Sequence, residues 1–242
     1  MNPPLFHIKD IKKYCLLQDA VQWYCMDLKR VKYFIDLDPS CVYHKDNYNR
    51  LPIHHFSWDS DDIVNEKLQL ETAQYLIQAS LSYSISNKRI GGLFTKEPND
   101  DDYVINNIVK GMGIEKTWDL IERSLSKHKQ QNNLPCILLQ TIKHTPEYCS
   151  EVIKRFPKSV HVRDVNNGNR LPIHVALETG MKWSIELEYL FVTSKEFFKD
   201  VDPLTKFPLF VLAAMGKSCD LRVVFEMLQE HPEQVEMLKS SY

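Results

Sequence analysis

The chain has 242 residues, with Lys plus Arg at 30 against Asp plus Glu at 32 and a formal net charge of -2, so it carries no overall basic field to gather nucleic-acid phosphates. Its hydrophobic share of 43% suffices for a sizeable core, and its charged share of 26% is that of an ordinary soluble fold. Seven glycines are few for an all-β protein, so the balance favours helices joined by short, punctuated loops.

The N-terminus carries Lys9, Asp10, Lys12 and Lys13 where a signal peptide needs an apolar run, and no stretch approaches a transmembrane length of about 18 apolar residues. The six cysteines, at 15, 25, 41, 136, 149 and 219, contain no C-x-x-C pair and read as buried or free thiols of a reducing compartment. These features predict a protein of the cytoplasm, with the nucleus as the alternative, neither secreted nor membrane-embedded.

From Tyr14 to Ile35, Leu17, Val21, Tyr24, Leu28, Val31 and Ile35 are spaced 4, 3, 4, 3 and 4 apart, one stripe along a helix or helix pair. Asp38-Pro39 ends it, because proline disfavours helical dihedrals in the residue before it. Pro39 to Asp46 then reads as an extended link, and Pro157 to Asp164 matches it in register, with a third start at Pro232-Glu233-Gln234-Val235. Asp46-Asn47-Tyr48-Asn49 and Asp164 to Asn169 are predicted tight turns, since Asn and Gly tolerate positive φ and Asx side chains bond the backbone two residues on.

Each turn leads into the same hexapeptide, Asn49-Arg50-Leu51-Pro52-Ile53-His54 and Asn169-Arg170-Leu171-Pro172-Ile173-His174, recurring 120 positions apart. Pro52 and Pro172 suit the first turn of a new helix. Asp59, Asp61 and Asp62 read as an acidic helix start before an apolar run to Leu81, and 82–102 as a long exposed loop or insertion. Two helices are predicted near 103–110 and 115–129, the second with Trp118, Ile121 and Leu125 inward.

Leu134-Pro135 is a degenerate copy of the Leu-Pro start. Thr145-Pro146-Glu147 supplies a cap for a helix with Tyr148, Val152, Ile153 and Phe156 inward. A helix is predicted near 183–192. Phe207-Pro208 forms a further copy with Phe210 where histidine stood, and Ser218 is predicted to cap a helix holding Leu221, Val224, Phe225 and Leu228 inward. Pro135 to Pro172 is 37 residues and Pro172 to Pro208 is 36, a period of repeat architecture.

A turn, a Leu-Pro-x-His helix start, a second helix and an extended return resembles the ankyrin repeat, whose signature is Thr-Pro-Leu-His-x-Ala. Leu171-Pro172-Ile173-His174-Val175-Ala176 matches its Pro, apolar residue, His and Ala, and the chain is similar to divergent ankyrin-like proteins numerous in single-celled algae. Leu51 and Leu171 replace the family's Thr, so Asn49 or Asn169, or another backbone group, must serve the cap. The resemblance implies an all-α solenoid of about five or six helix-turn-helix units of roughly 36 residues, forming a single repeat domain. The expected divisions are capping helices at 1–36, units at 37–81, 82–130, 131–156, 157–193 and 194–231, and a partial unit or cap at 232–242.

The resemblance also implies that Leu51, Pro52, His54, Leu134, Pro135, Leu171, Pro172, His174, Ala176, Phe207 and Pro208 are structural, His54 and His174 bonding backbone across the turn and between repeats. Partner contacts would come from the turn tips and the first-helix face: Lys45, Tyr48, Arg50 and His55, then Arg163, Asn167, Arg170 and Val175, then Lys206. Cys41, His44, His54 and His55 match no established zinc spacing, and Gly111-Met112-Gly113 lacks the residues of a phosphate loop. The expectation is a monomeric, non-catalytic scaffold for a protein partner, without metal or cofactor. The alternatives are a regulatory or targeting module of a larger complex and, third, a metal protein or enzyme.

Overall fold

The computed structural model describes residues 7–22, 26–56, 66–83, 90–96, 98, 101–126, 137–197 and 200–239. Among them are thirteen α-helices and several short 3-10 turns, with isolated β-bridges but no strand, so the chain is all-α. None of these helices is long and apolar enough to cross a membrane. The chain gathers into two compact units, Met1–Pro135 and Cys136–Tyr242.

The N-terminal unit begins with α1 (Ile8–Lys13), α2 (Leu16–Val21) and α3 (Leu28–Leu37). Cys15, in the left-handed region at φ 51°, separates the first two. Asp27 starts α3 by accepting the Lys29 and Arg30 N–H groups, satisfying donors that have no partner within the helix. Leu17, Val21, Val31 and Ile35 of the expected stripe are buried. Asp38 ends α3 and accepts the Ser40 N–H, but Pro39–Tyr43 is a 3-10 turn, not an extended link, and it buries Cys41 and Val42.

α4 (Glu66–Tyr83) is the centre of this unit. Gln69, Thr72, Ala73, Leu76, Ile77 and Ser80 are all buried along one face, at the spacing of a helical stripe. That face meets α3, the 3-10 turns at Pro39–Tyr43 and Ile90–Gly92, and α6 (Ile114–Ser126), which follows α5 (Val104–Met112). Trp118, Ile121 and Leu125 of α6 are fully buried as expected, each aliphatic contributing about 1.5–3 kcal/mol of transfer free energy.

The polar stretch at 82–102 is not simply an exposed loop. Ile90, Leu93 and Phe94 within it are buried, and a bridge pairs Lys96 with Tyr103 just before α5. Charge density hid an apolar anchor of a few residues. The acidic helix start at Asp59, Asp61 and Asp62, the end of the helix expected to reach residue 129 and the Leu134-Pro135 copy lie outside the described residues.

The C-terminal unit holds α7 (Ile137–His144), α8 (Cys149–Arg155), α9 (Pro172–Thr179), α10 (Ile185–Thr193), α11 (Leu209–Met215), α12 (Leu221–Glu230) and α13 (Gln234–Lys239). α7 packs on α9 and α9 on α11, while α8 packs on α10, so alternate helices form two parallel tiers. Gly180 closes α9 in the left-handed conformation at φ 72°, and a Cβ there would stand 2.6 Å from the Ser218 backbone nitrogen.

Two capping expectations change. Thr145 is fully buried and makes no capping bond, and Ser218 does not cap α12 but donates to the Gly180 carbonyl at 2.8 Å. Asp220 caps α12 instead. That helix is rotated from the expected stripe, burying Val223 and Met227 while Leu221 and Phe225 point outward. It is apolar on more than one face, and periodicity alone does not choose between them.

Candidate binding tips

The turn before each Leu-Pro start is built from one aspartate. In the N-terminal unit Asp46 Oδ1 accepts the Tyr48 and Arg50 N–H groups, both at 2.9 Å, and the Asp46 N–H closes the tip on the Arg50 carbonyl at 3.0 Å. Asn49 sits at φ 65°, the left-handed position expected of it. In the C-terminal unit Asp164 accepts the Asn166 N–H at 3.2 Å and bonds the Arg170 carbonyl through its own N–H, with Gly168 and Asn169 at φ 64° and 60°.

A third tip repeats the plan at Asp202, whose N–H bonds the Phe207 carbonyl at 2.8 Å, with Lys206 at φ 64°. It packs closely against its neighbour, since a Cβ on Gly168 would come within 2.3 Å of Leu204.

Behind the first two tips a histidine anchors the start of the next element, which is a 3-10 turn at Pro52–His55, not the expected α-helix, and α9 at Pro172. Leu51 donates its N–H to His54 Nδ1 at 2.7 Å, and Leu171 does the same to His174 at 3.2 Å. The imidazole, and not the expected Asn49 or Asn169, therefore takes the capping place, and both rings are neutral with the proton on Nε2. Thr95, whose hydroxyl donates to the Gly92 carbonyl, receives the His54 Nε2–H at 3.3 Å and links it to the 3-10 turn at Ile90–Gly92. His174 Nε2 is buried with no hydrogen-bond partner. Burial lowers both pKa values, that of His54 to about 4.

The third copy of the start is shifted by one residue. Pro208 holds the extended dihedrals of Leu51 and Leu171, with ψ 154° against 162° and 161°, and its carbonyl accepts the Val211 N–H. Val211, not Phe210, stands where histidine stood, and Phe207 is 39% exposed and not part of the core.

The proposed contact residues divide sharply. Lys45, Tyr48, Arg163 and Lys206 are exposed, and Asn167 is half-buried. Arg50 is half-buried, bonded through Nε to Asp46 Oδ2 at 3.0 Å and stacked 5.0 Å from the Tyr48 ring. His55 also meets Asp46 Oδ2 at 3.0 Å and leaves little side chain in solvent. Arg170 and Val175 are buried at 2% and 1% exposure, so neither offers a contact surface.

Arg170 instead reaches the next tip. Its Nε and Nη2 meet the two Asp202 oxygens at 2.7 and 2.8 Å, and its Nη1 meets Glu178 at 2.6 Å. Asp202 Oδ2 also accepts the Thr205 N–H and hydroxyl. Burial alone would push the Asp202 carboxyl up, but Arg170 and Thr205 outweigh it and hold the pKa near 2. The tip signal was present in sequence: Asp202 heads a turn that has no arginine of its own.

The histidines and cysteine weighed as a zinc set are separately engaged. Cys41 is buried and donates to the Phe34 carbonyl, its thiol pushed by burial up to about 12. His44 meets Ser40, His54 the Leu51 N–H and His55 Asp46. Among the described residues no group of His, Cys, Asp or Glu is arranged to hold a metal ion. Comparison with known proteins finds no matching family model, no similar curated sequence and no similar solved structure.

Proposed function

We propose that this chain is a non-catalytic protein-binding scaffold of the ankyrin type, a solenoid of helix pairs of roughly 36 residues that engages its partner through the tips. The observation that carries this reading is the recurrent tip itself: an aspartate-built turn with exposed side chains, set on a buried Leu-Pro-x-His anchor. A rigid anchor under a polar turn presents side chains at low ordering cost, which suits recognition. The tiered packing of α7, α9 and α11 beside α8 and α10 supports the solenoid.

The contacts are Lys45, Tyr48, Arg163 and Lys206, with Arg50 and Asn167 partly accessible beside them. The test is affinity capture from native extract with the intact chain beside a Lys45→Glu, Arg163→Glu, Lys206→Glu variant of unchanged thermal stability. A partner held by the first and lost by the second supports the reading; equal capture by both overturns the tip surface.

A further inference from the structure

The second helices of the C-terminal unit change character along the chain. α10 is capped by Ser184 and α12 by Asp220, so Ile185, Tyr189 and Val192 hold the same places after the cap as Leu221, Phe225 and Leu228, 36 residues on. In α8 the buried series Cys149, Val152, Ile153, Phe156 matches Leu187, Leu190, Phe191, Ser194 of α10, which sets Glu147, Glu151 and Lys154 in the corresponding outer places. An outer stripe that is charged on α8 is thus apolar on α10 and again on α12.

All of these apolar side chains but the half-buried Leu228 are in solvent. Ile185 and Leu221 are each 76% exposed, Phe225 63% and Val192 56%, with Tyr189 at 36%. Isolated exposed apolar residues need no explanation, but a stripe repeated at one spacing on two helices tied to each other is not isolated, and exposed apolar faces of this kind mark interaction sites. The helices are tied at both ends. The Trp183 N–H bonds Asp220 at 3.1 Å, the Arg222 guanidinium lies over the Trp183 ring, and Lys195 meets Glu230 at 3.5 Å.

The charges beside the patch choose its occupant. Arg222 and Lys195 are taken up by Glu226 and Glu230, while among the described residues neither Glu186 nor Glu188 has an ion-pair partner. What remains along the helices is apolar surface bordered by the Glu186 and Glu188 carboxylates, while Lys182 lies at the start of the face, where it interacts with Asp220. Anionic lipid headgroups would be repelled, and a second copy docked by a two-fold axis would set like carboxylates against each other. We infer that the outer face of α10 and α12 is a docking site for an amphipathic helix of a partner protein, its apolar stripe flanked by lysine or arginine. The site rests on the protein-binding reading above but uses a face separate from the tips.

The test uses the full chain and two labelled helical peptides with leucine at i, i+3, i+4 and i+7, one flanked by lysine and one by glutamate. Fluorescence anisotropy is expected to show binding of the lysine peptide, weakened at least about tenfold by Ile185→Ser with Phe225→Ser and by raised salt. The Lys45→Glu, Lys206→Glu tip variant is expected to bind it as the parent does, which separates failure of this site from failure of the tip reading. Four results overturn the proposal: no binding of the lysine peptide, equal binding of both peptides, indifference to the Ile185 and Phe225 substitutions, or self-association or sedimentation with phosphatidylserine vesicles lost on those same substitutions.

Discussion

The two hexapeptides Asn-Arg-Leu-Pro-Ile-His are identical in sequence, yet their arginines lead different lives. Arg50 folds back on Asp46 of its own tip and remains half-exposed, whereas Arg170 is buried and crosses to Asp202 of the next tip. The difference lies in neighbours. Asp46 Oδ2 is occupied by Arg50 and His55, but Lys143 takes Asp164 Oδ2 at 3.0 Å, and Asp202 waits in a tip with no arginine of its own. Position 55 is histidine in the first copy, and its equivalent is Val175, buried, in the second. A short motif thus sets the backbone, while the residues around it decide what the charged side chain does.

The comparison is broken most forcefully through the aspartates. Asp202→Ala leaves the Arg170 guanidinium buried with only Glu178, and is expected to cost about 3–5 kcal/mol. Asp46→Ala removes two N–H bonds, the bond to His55 and a half-exposed ion pair and is expected to cost about 2 kcal/mol. Urea unfolding of both variants decides it; equal losses would mean that the buried bridge adds nothing over the exposed one.

Acid separates the same elements by pH. His54 is depressed from 6.5 to about 4, so the unfolded chain binds its proton first, and stability present above pH 6.5 is lost as pH falls towards 4, by on the order of 2–3 kcal/mol. His174 is lowered too and acts in the same direction. Asp202, depressed from 3.8 to about 2, adds a second loss below pH 3.8. His54→Gln should shrink the upper step and leave the lower one; a single step below pH 4 in the parent chain would contradict the buried neutral ring.

Exchanging the residue after the motif gives a smaller effect. Val175→His drives an imidazole into a filled, fully buried place and is expected to cost about 2 kcal/mol, whereas His55→Val loses one bond to Asp46 and should cost about 1 kcal/mol. Melting temperatures that rank the two the other way would remove the neighbour-based account of the arginines.

What could be read from sequence follows from the range of the forces involved. The turns at Asp46 and Asp164, the positive φ of Asn49 and Asn169 and the helix start at Pro172 are local, and their residues announce them. The Trp118, Ile121, Leu125 stripe was equally legible because α6 is polar on its other face. The outward turn of Leu221 and Phe225 and the burial of Arg170 depend on residues tens of positions away, which no local pattern encodes. The one-residue slide at Pro208 was hidden because Leu-Pro and Phe-Pro look alike in sequence, while the backbone starts the helix from Pro208 and not from Phe207.

The contact that stabilises the tip least is the most informative about recognition. Tyr48 is 68% exposed and touches the chain mainly through the Arg50 guanidinium over its ring, a cation–π contact of about 0.5 kcal/mol at an exposed site. Tyr48→Ala should therefore leave the melting temperature almost unmoved. If the tip is a contact surface, the same substitution removes a large, rigid, amphipathic side chain held ready by Arg50, and the captured partner should be lost or weakened about tenfold. The second copy has no such aromatic, since Asn166 occupies the corresponding turn beside a buried arginine. Asn166→Ala is accordingly expected to change neither stability nor capture, and a partner lost through Asn166 but kept through Tyr48→Ala would move the contact to the second tip.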